Sequence, residues 1–593
     1  ANVPDAEQPR YVITCDFETF RLRDLDAPAG EEAVVEFPLE QLPVEAERFG
    51  FIAGYQKREF GSAEQAAASV KAAQLMADLY VELEGSGYDE HEASVFLVRT
   101  LFALFADDSG LWERDLFLEF IQTRTAEDGS DLGAQLTALF QVLNRPVNKR
   151  MAGTDELMLR FPYVNGSVFG ESISIPYFNA SMRQKLIEAC LFNWGSISPA
   201  IFGSLFQAVK SKEARRELGE HYTTEENILK LIGPLFLDEL RAEFVRSIHD
   251  RAALGRLHER LGQLRFLDPA CGCGNFLIVA YRELRALELE ILVRRQELSK
   301  KRSQTALVLD EDETVKVRMP HFHGIELEEW PATIARTAMF LVNHQANQDM
   351  SLKIGISPEQ LPLSESAHIV VGNALELDWN SVLPASEDVR VMGNPPFIGA
   401  RLMTAEQKAE TNALWPRGKA GLLDYCAGWY AKAAAYLADT EQASFAFVTT
   451  NSITQGQQVA ALFSDLLEDG WTVLFAHRTF TWTSEAANAA AVHCVIVGMV
   501  KERRSSRPLF SYRAGAGTPE MQPVSRINPY LVEGPDVFVQ PRSKPLSTDL
   551  PGAVFGSMAN DGGNLLLDTE GHATALADAR ASKYVRRFVG ARE

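Results

Sequence analysis

Phe266-Leu-Asp268-Pro-Ala-Cys271-Gly272-Cys273-Gly274-Asn275-Phe-Leu277 reads as a short apolar strand that enters a glycine-containing turn and leaves it as a helix. Glycines in such a turn let backbone N–H groups approach a ligand, and the switch from strand to helix puts that ligand at the carboxyl edge of a sheet. The full GxGxxG fingerprint is missing. Asp268 stands at the lip of the strand, where a carboxylate suits an ammonium-bearing ligand better than a pyrophosphate, so the motif points to a charged amino-acid adduct rather than a dinucleotide. Taken alone, a tight turn that binds nothing is an equal reading.

Downstream of this stretch, short apolar runs alternate with helical stretches. Strands are expected at LRFLD, HFHGIE, HIVVG, VRVMGN, SFAFVTT, WTVLFAHR and HCVIVGMV, separated by helices at 275–298, 329–345, 420–438 and 456–468. That grammar implies an α/β fold: a parallel, doubly wound, Rossmann-like sheet of seven strands with crossover helices. Upstream, apolar side chains three and four apart predict helices over 62–84, 92–107, 131–144, 181–209 and 225–246, so a mainly helical region precedes the sheet. A strand at Tyr11–Phe17 and an acidic loop around Asp24–Glu36 open the chain, and residues 500–593 carry many Pro and Gly with weak periodicity.

Two further motifs follow strands of the expected sheet. Gly324-Ile-Glu326-Leu327 ends the second strand with an acid able to hold ribose hydroxyls; an ordinary acid at a helix N-terminus is the alternative. Gly393-Asn394-Pro395-Pro396-Phe397 ends the fourth. Two prolines stop that strand and leave neighbouring carbonyls without ladder partners. With the Asn394 side-chain oxygen these carbonyls make a cluster of acceptors beside an aromatic face. Such acceptors, drawing on the hydrogens of a conjugated exocyclic amine, free its lone pair, and Phe397 could stack on a flipped base.

Composition narrows the classes. The chain has 593 residues, 46% of them hydrophobic, and a formal net charge of −22. That excludes a disordered chain and disfavours a protein that grips a polyanion over its whole surface. Residues 1–150 carry 13 basic and 28 acidic side chains, a net of −15, so the acidic end is not expected to be the primary DNA-binding face. Six cysteines without CxxC or framework spacing fit reduced thiols in a cytosol better than secretion, and no metal site is expected. No run of about 18 apolar residues occurs, so no membrane span is expected. The start at Ala1 reads as a trimmed chain.

The string DPACGCGNFL, then GIEL, then GNPPF, preceded by Gly219-Glu-His-Tyr222-Thr223-Thr224, resembles the gamma-ordered S-adenosylmethionine-dependent amino-methyltransferases of DNA. Segments at 99–112, 192–207, 527–537 and 555–567 extend the resemblance to the large single-chain restriction–modification proteins of the MmeI type. It implies a class I methyltransferase sheet, S-adenosyl-L-methionine as cofactor, and methylation of adenine N6 in duplex DNA with a flipped base. Asp268, Ala270, Gly272, Gly274 and Asn275 would line the methionine part of the cofactor, and Glu326 with Leu327 the ribose. Asn373, Ala374 and Leu375 would line the adenine, with Tyr222 and Thr223 closing over it. Asn394, Pro395, Pro396 and Phe397 would be the catalytic motif. Cys273 stands where Ser is commoner and Asn373 where many relatives have Asp; both can still bond a ligand. Cytosine-N4 methylation, methylation of a protein glutamine amide, and an inactive cofactor-binding assembly module are the competing readings.

The resemblance also sets the expected organisation: a strand-containing segment over 1–60, a helical spacer over 61–180, the methyltransferase over 181–510, and over 511–593 a passage leading into a target-recognition domain. That domain and the nuclease of such proteins are expected to be absent here, supplied by a full-length parent or a partner chain. A nuclease would need a carboxylate followed by Glu-x-Lys, the acids holding Mg²⁺, and residues 1–150 contain no Glu-x-Lys. Supercoiled plasmid incubated with the chain, Mg²⁺ and S-adenosylmethionine should therefore stay uncut, and site-specific cleavage that survives repurification would reverse this reading.

Overall fold

The computed structural model describes residues 11–24, 34–41, 63–164, 167–194, 197, 224–300, 315–355, 366–415, 419–482, 492–512, 519–539, 547, 549 and 566–587. The chain divides into two compact units, Ala1–Phe538 and Val539–Glu593. Within the second, the helix Thr569–Ala577 is capped by Asp568, whose Oδ1 accepts from the Gly571 N–H at 2.7 Å.

The first unit opens with an antiparallel sheet of β1 (Tyr11–Cys15), β2 (Thr19–Asp24) and β3 (Val34–Pro38). Part of the expected acidic loop is thus strand β3. Asp16 Oδ1 accepts from the backbone N–H groups of Glu18 (3.0 Å) and Thr19 (2.7 Å), so this acid holds the β1–β2 turn.

Helices α1 (Ala63–Gly85), α2 (Glu90–Asp108), α3 (Leu116–Arg124), α4 (Leu132–Leu143) and α5 (Ala180–Cys190) follow. Their packing is aromatic: Phe96, Phe102, Phe105, Phe117, Phe120, Phe140, Phe161 and Phe169 are all buried. Asp107 fixes the path from α2 to α3, accepting from Trp112 Nε1–H at 2.8 Å and the Phe117 N–H at 2.9 Å, while burial pushes its carboxyl up to about 6. The helix read at 225–246 is broken. Between α6 (Glu225–Ile232) and α7 (Asp238–Ser247), Gly233–Leu237 wind as a π-turn, because Pro234 has no N–H for the α ladder.

After α8 (Arg251–Gln263) comes the main sheet: β4 (Arg265–Asp268), β5 (Phe322–Glu326), β6 (His368–Val371), β7 (Val389–Gly393), β8 (Ser444–Thr450), β9 (Thr472–Trp482), β10 (Val492–Val500), β11 (Arg507–Ser511) and β12 (Glu520–Val524). The order is β12-β11-β9-β10-β8-β7-β4-β5-β6. Nine strands replace the expected seven, because β11 and β12, in the Pro-bearing stretch with weak periodicity, extend the edge beyond β9. The sheet is also not wholly parallel. β8-β7-β4-β5-β6 run parallel, but β10 lies antiparallel between β8 and β9, and β12 is antiparallel to β11. Only nine residues separate β9 from β10, too few for the helical crossover that a parallel return needs.

The crossover helices are α9 (Asn275–Lys300), α10 (Glu329–Ile354), α11 (Ala405–Leu414), α12 (Ala427–Tyr436) and α13 (Gly456–Glu468). One apolar cluster joins the helices α1–α5 to α9, α10 and one face of the sheet; a second covers the other face beneath α12 and α13. The Ser109 carbonyl at the end of α2 accepts from His344 Nε2–H at 2.7 Å and from the Gln348 amide, both on α10, and Phe102 stacks on Phe340. Among the described residues no helix is long and apolar enough to cross a membrane.

The chain runs from β4 outward through β5 to β6, then returns to the other side of β4 as β7. The carboxyl ends of β4 and β7 therefore flank a topological switch point, where open α/β sheets take their ligands. Packing around the sheet is tight: a Cβ on Gly498 of β10 would stand 2.3 Å from the Phe475 ring. Gly498→Ala should cost about 1–3 kcal/mol by overpacking, read as a lower urea midpoint with unchanged slope.

Candidate functional site

β4 delivers Asp268 fully buried to the switch point. Its Oδ1 accepts from the Ala270 N–H at 3.0 Å, which starts the turn, and its Oδ2 has no hydrogen-bond partner among the described residues. Burial first, and then the charge of Glu326, push the carboxyl up to about 8. This position exists because residue 393 is glycine: a Cβ there would stand 2.5 Å from Asp268 Oδ1. Gly393 ends β7 and precedes Asn394, so the first and third motifs meet through that contact.

The turn depends on two glycines of positive φ, Gly272 at 53° and Gly274 at 85°. A Cβ on Gly274 would press on Ala335 of α10 at 3.0 Å, whereas one on Gly272 would meet open space. The Gly272 N–H donates to Glu326 Oε2 at 2.9 Å, and the Glu328 N–H to Oε1 at 3.1 Å, so the carboxylate at the end of β5 is held against the turn. Asn275 Oδ1, at the start of α9, is buried without a hydrogen-bond partner among the described residues. Beside Glu326, Leu327 is 59% exposed. Ala270 is half-buried, and Trp429 Nε1–H of α12 anchors the turn from below by donating to the Pro269 carbonyl at 3.0 Å.

Beyond β6, Asn373 Oδ1 accepts from the Leu375 N–H at 3.0 Å, and Asn373 Nδ2–H donates to Glu410 Oε1 at 2.7 Å. Gly372 N–H donates to the Glu326 carbonyl at 2.8 Å, which joins this corner to the second motif. Ala374 and Leu375 are buried, and the Ala374 carbonyl accepts from Trp379 Nε1–H. In the third motif Pro395 is buried while Asn394, Pro396 and Phe397 are half-buried, Phe397 packing against the core.

The structure thus brings Asp268, Gly272, Gly274, Asn275, Glu326, Asn373 and Asn394 to one edge of the sheet. Tyr222 and Thr223 lie outside the described residues. Thr224 is the N-cap of α6 by backbone, but its side chain makes no cap hydrogen bond. Sequence reasoning quoted Gly393 in the third motif without giving it a role, and passed over Glu410, Asp424, Tyr425 and Trp429. The last three stand in a stretch read as one helix from residue 420, whereas α12 begins at Ala427 and the preceding loop carries Asp424 and Tyr425. A polar Asp-Tyr pair ahead of an apolar helix was the available signal.

A buried carboxylate with one oxygen unpartnered among the described residues, beside a glycine opening and a second carboxylate, can take a cationic group against Asp268 and hydroxyls against Glu326. Half-buried acceptors and an aromatic ring stand next to it.

Four family profiles match the chain: "MmeI, N-terminal domain" over 1–86, "MmeI, helicase spacer domain" over 91–169, "MmeI, DNA-methyltransferase domain" over 244–511 and "MmeI, target recognition domain" over 533–593. DNA methyltransferase A of Bacillus subtilis (strain 168) is 37% identical over 99% of this chain, and the chain spans 65% of that relative's length. A putative type II restriction enzyme and methyltransferase of Methanocaldococcus jannaschii is 23% identical over 52% of this chain and 30% of its own length. The structure of the type IIL restriction–modification enzyme MmeI in complex with DNA matches with a TM-score of 0.80 and 44% identity, over 88% of this chain and 69% of that one. The match over 533–593 overturns the expectation that a target-recognition domain is absent and has to come from elsewhere. Few Pro- and Gly-rich residues there follow a period that a sequence reading can use.

The Asp268 carboxyl has a testable consequence without any ligand. Its ordinary value of 3.8 rises to about 8 on folding. Between these values the unfolded chain gives up a proton that the folded chain keeps, so this group's contribution to stability falls as pH climbs from about 4 to about 8. Asp268→Asn removes that contribution. The variant should gain thermal stability relative to the parent from pH 5 to pH 9, and parallel curves would refute the assignment.

Proposed function

This chain belongs to the MmeI family, and from that premise we propose that it transfers a methyl group from S-adenosyl-L-methionine to the N6 amine of adenine at a specific sequence in duplex DNA, as the modification activity of a restriction–modification system. The observation that carries the reading is the Asp268–Gly393 contact, which sets an ammonium-seeking carboxylate directly behind Asn394-Pro395-Pro396-Phe397. Residues 181–510 would form the catalytic domain, and 533–593 would contribute to reading the site.

The residues present fit the cofactor. Among the described residues one oxygen of Asp268 has no hydrogen-bond partner and would take the ammonium group, no atom fills the space where a Gly272 side chain would stand, and Asn275 Oδ1 is a second buried acceptor. Asp268, Ala270, Gly272, Gly274 and Asn275 would hold the methionine part, Glu326 and Leu327 the ribose, and Asn373, Ala374 and Leu375 the adenine, with Tyr222 and Thr223 over it. When bound, the cofactor supplies a methyl group on a cationic sulfur.

The rest is the work of the protein. An exocyclic amine on a base is a weak nucleophile because its lone pair is delocalised into the ring. The Asn394 side-chain oxygen and the Pro395 carbonyl would each accept one of its hydrogens, favouring a tetrahedral nitrogen with the lone pair released toward the methyl donor. Pro395 and Pro396 keep these acceptors from relaxing, and Phe397 would stack on the flipped base. Ionised Asp268 is costly in the empty protein and is stabilised by an ammonium group, so the pocket favours a zwitterionic ligand over a neutral one.

The test uses the purified chain with plasmid DNA and tritiated S-adenosylmethionine, followed by base-resolved mapping. N6-methyladenine in one recurring sequence is expected. N4-methylcytosine would replace the base assignment, and the absence of both methyl transfer and cofactor binding heat would overturn the reading. Asn394→Ala should lower methyl transfer about 10²–10³-fold, the loss of one aimed acceptor, with cofactor affinity nearly unchanged. Near parental turnover in that variant would mean that the motif is only a rigid turn.

A further inference from the structure

Between the corner at Asn373 and the loop after β7 lies a connection that neither motif contains. Glu410 Oε1 accepts from Asn373 Nδ2–H at 2.7 Å, and its Oε2 accepts from the Tyr425 phenol at 2.5 Å. The Tyr425 backbone N–H in turn donates to the Ile398 carbonyl at 2.9 Å, one residue beyond Phe397. Asp424 grips the same loop: its Oδ1 accepts from the Ala400 N–H at 3.0 Å, and its Oδ2 from the Thr450 hydroxyl at 3.2 Å.

Both oxygens of the Glu410 carboxylate accept, and their donors come from two separate parts of the sheet edge. Tyr425 is buried, and its phenol is held well above its usual range by burial and by Glu410, so it stays a neutral donor. Glu410 itself rides on α11, which begins at Ala405, directly after the loop that holds Asn394 and Phe397. The loop is therefore held at Ile398 by the Tyr425 backbone, at Ala400 by Asp424 and at its far end by α11; Tyr425 and α11 meet at the Glu410 carboxylate, which also fixes Asn373.

We propose that Glu410 and Tyr425 are positioning residues, a hydrogen-bonded strut that carries occupancy of the Asn373–Leu375 corner to the loop holding Asn394 and Phe397. The inference rests on the functional reading above, in which that corner takes the cofactor's adenine. An adenine amino group held at that corner would be a further hydrogen-bond donor that the Glu410 carboxylate could accept. The carboxylate then adjusts its hold on Tyr425, and Tyr425 its hold on Ile398. Filling the cofactor site thus orders the base-binding loop before DNA arrives.

Hydrogen exchange on the full chain tests this without DNA, using S-adenosylhomocysteine as the probe and calorimetry for its affinity. In the parent the probe should slow exchange at residues 372–378 and also, about fivefold or more, at the loop amides of 397–403, the lower range for coupled sites. Tyr425→Phe keeps the ring and the Asn373–Glu410 bond but removes the phenol. It should bind the probe within about threefold of the parent, a modest effect for a hydrogen bond away from the ligand, keep the slowing at 372–378 and lose it in the loop. Glu410→Gln retains an acceptor and should recover part of the loop protection; Glu410→Ala should recover none. Unchanged exchange across β7 and β8 in the unliganded variants shows that they are folded. Loop protection in Tyr425→Phe equal to the parent, or parental protection confined to 372–378, would overturn the strut. A parent that binds no probe at all would instead remove the functional reading, and the strut with it.

Discussion

A carboxylate buried where two strands diverge governs the carboxyl edge of this sheet. Asp268 occupies the gap between β4 and β7 because Gly393 has no side chain, and one of its oxygens turns the chain into the glycine loop by accepting from Ala270. The other oxygen has no hydrogen bond among the described residues, and burial keeps the group protonated at neutral pH. Unsatisfied buried polar atoms are uncommon in folded proteins because each forfeits its hydration. Here the expense falls at the point where a ligand cation would remove it, and the same contact sets the distance between the glycine turn and the Asn-Pro-Pro-Phe loop.

Support for this edge comes from outside the sheet. α10 springs from the residues just after Glu326 and Leu327, and its middle carries His344 and Gln348, which hold the Ser109 carbonyl at the end of α2. The helical region preceding the sheet therefore packs on the helix that starts at the site, and one apolar cluster runs through both. Below the turn, Trp429 donates to the Pro269 carbonyl, so α12 limits its movement from the opposite face. A site built on strand ends and braced from two sides keeps its donors and acceptors in place before a ligand arrives, which is the condition for electrostatic preorganisation.

Much of this was legible in the linear chain. Each of the seven apolar runs forms a strand, and the three motifs meet at one edge, because strand period, glycine turns and proline stops are local properties that need no knowledge of distant contacts. The two added strands were not legible. β11 and β12 hold only five residues each, contain Pro508 and Pro523, and persist by pairing at the edge of a sheet already formed. The reversal of β10 was equally hidden, since alternation of apolar and polar residues is the same for either strand direction. The region matched by the target-recognition profile was read only as a passage leading into such a domain, for want of periodicity.

Sequence by itself singled out the residues that meet at this sheet edge: the acid at the end of β4, the glycines that allow positive φ, the acid at the end of β5, and the prolines that stop β7. These follow from what a single residue type can do to its own backbone and neighbours. Tertiary structure alone decided how they act together. Gly393 matters because of a carboxylate 125 positions earlier, and Glu410 because Asn373 and Tyr425 converge on it from β6 and from the loop before α12. Such pairings are set by how crossover helices bring strand ends together, a long-range result of packing that no local period records.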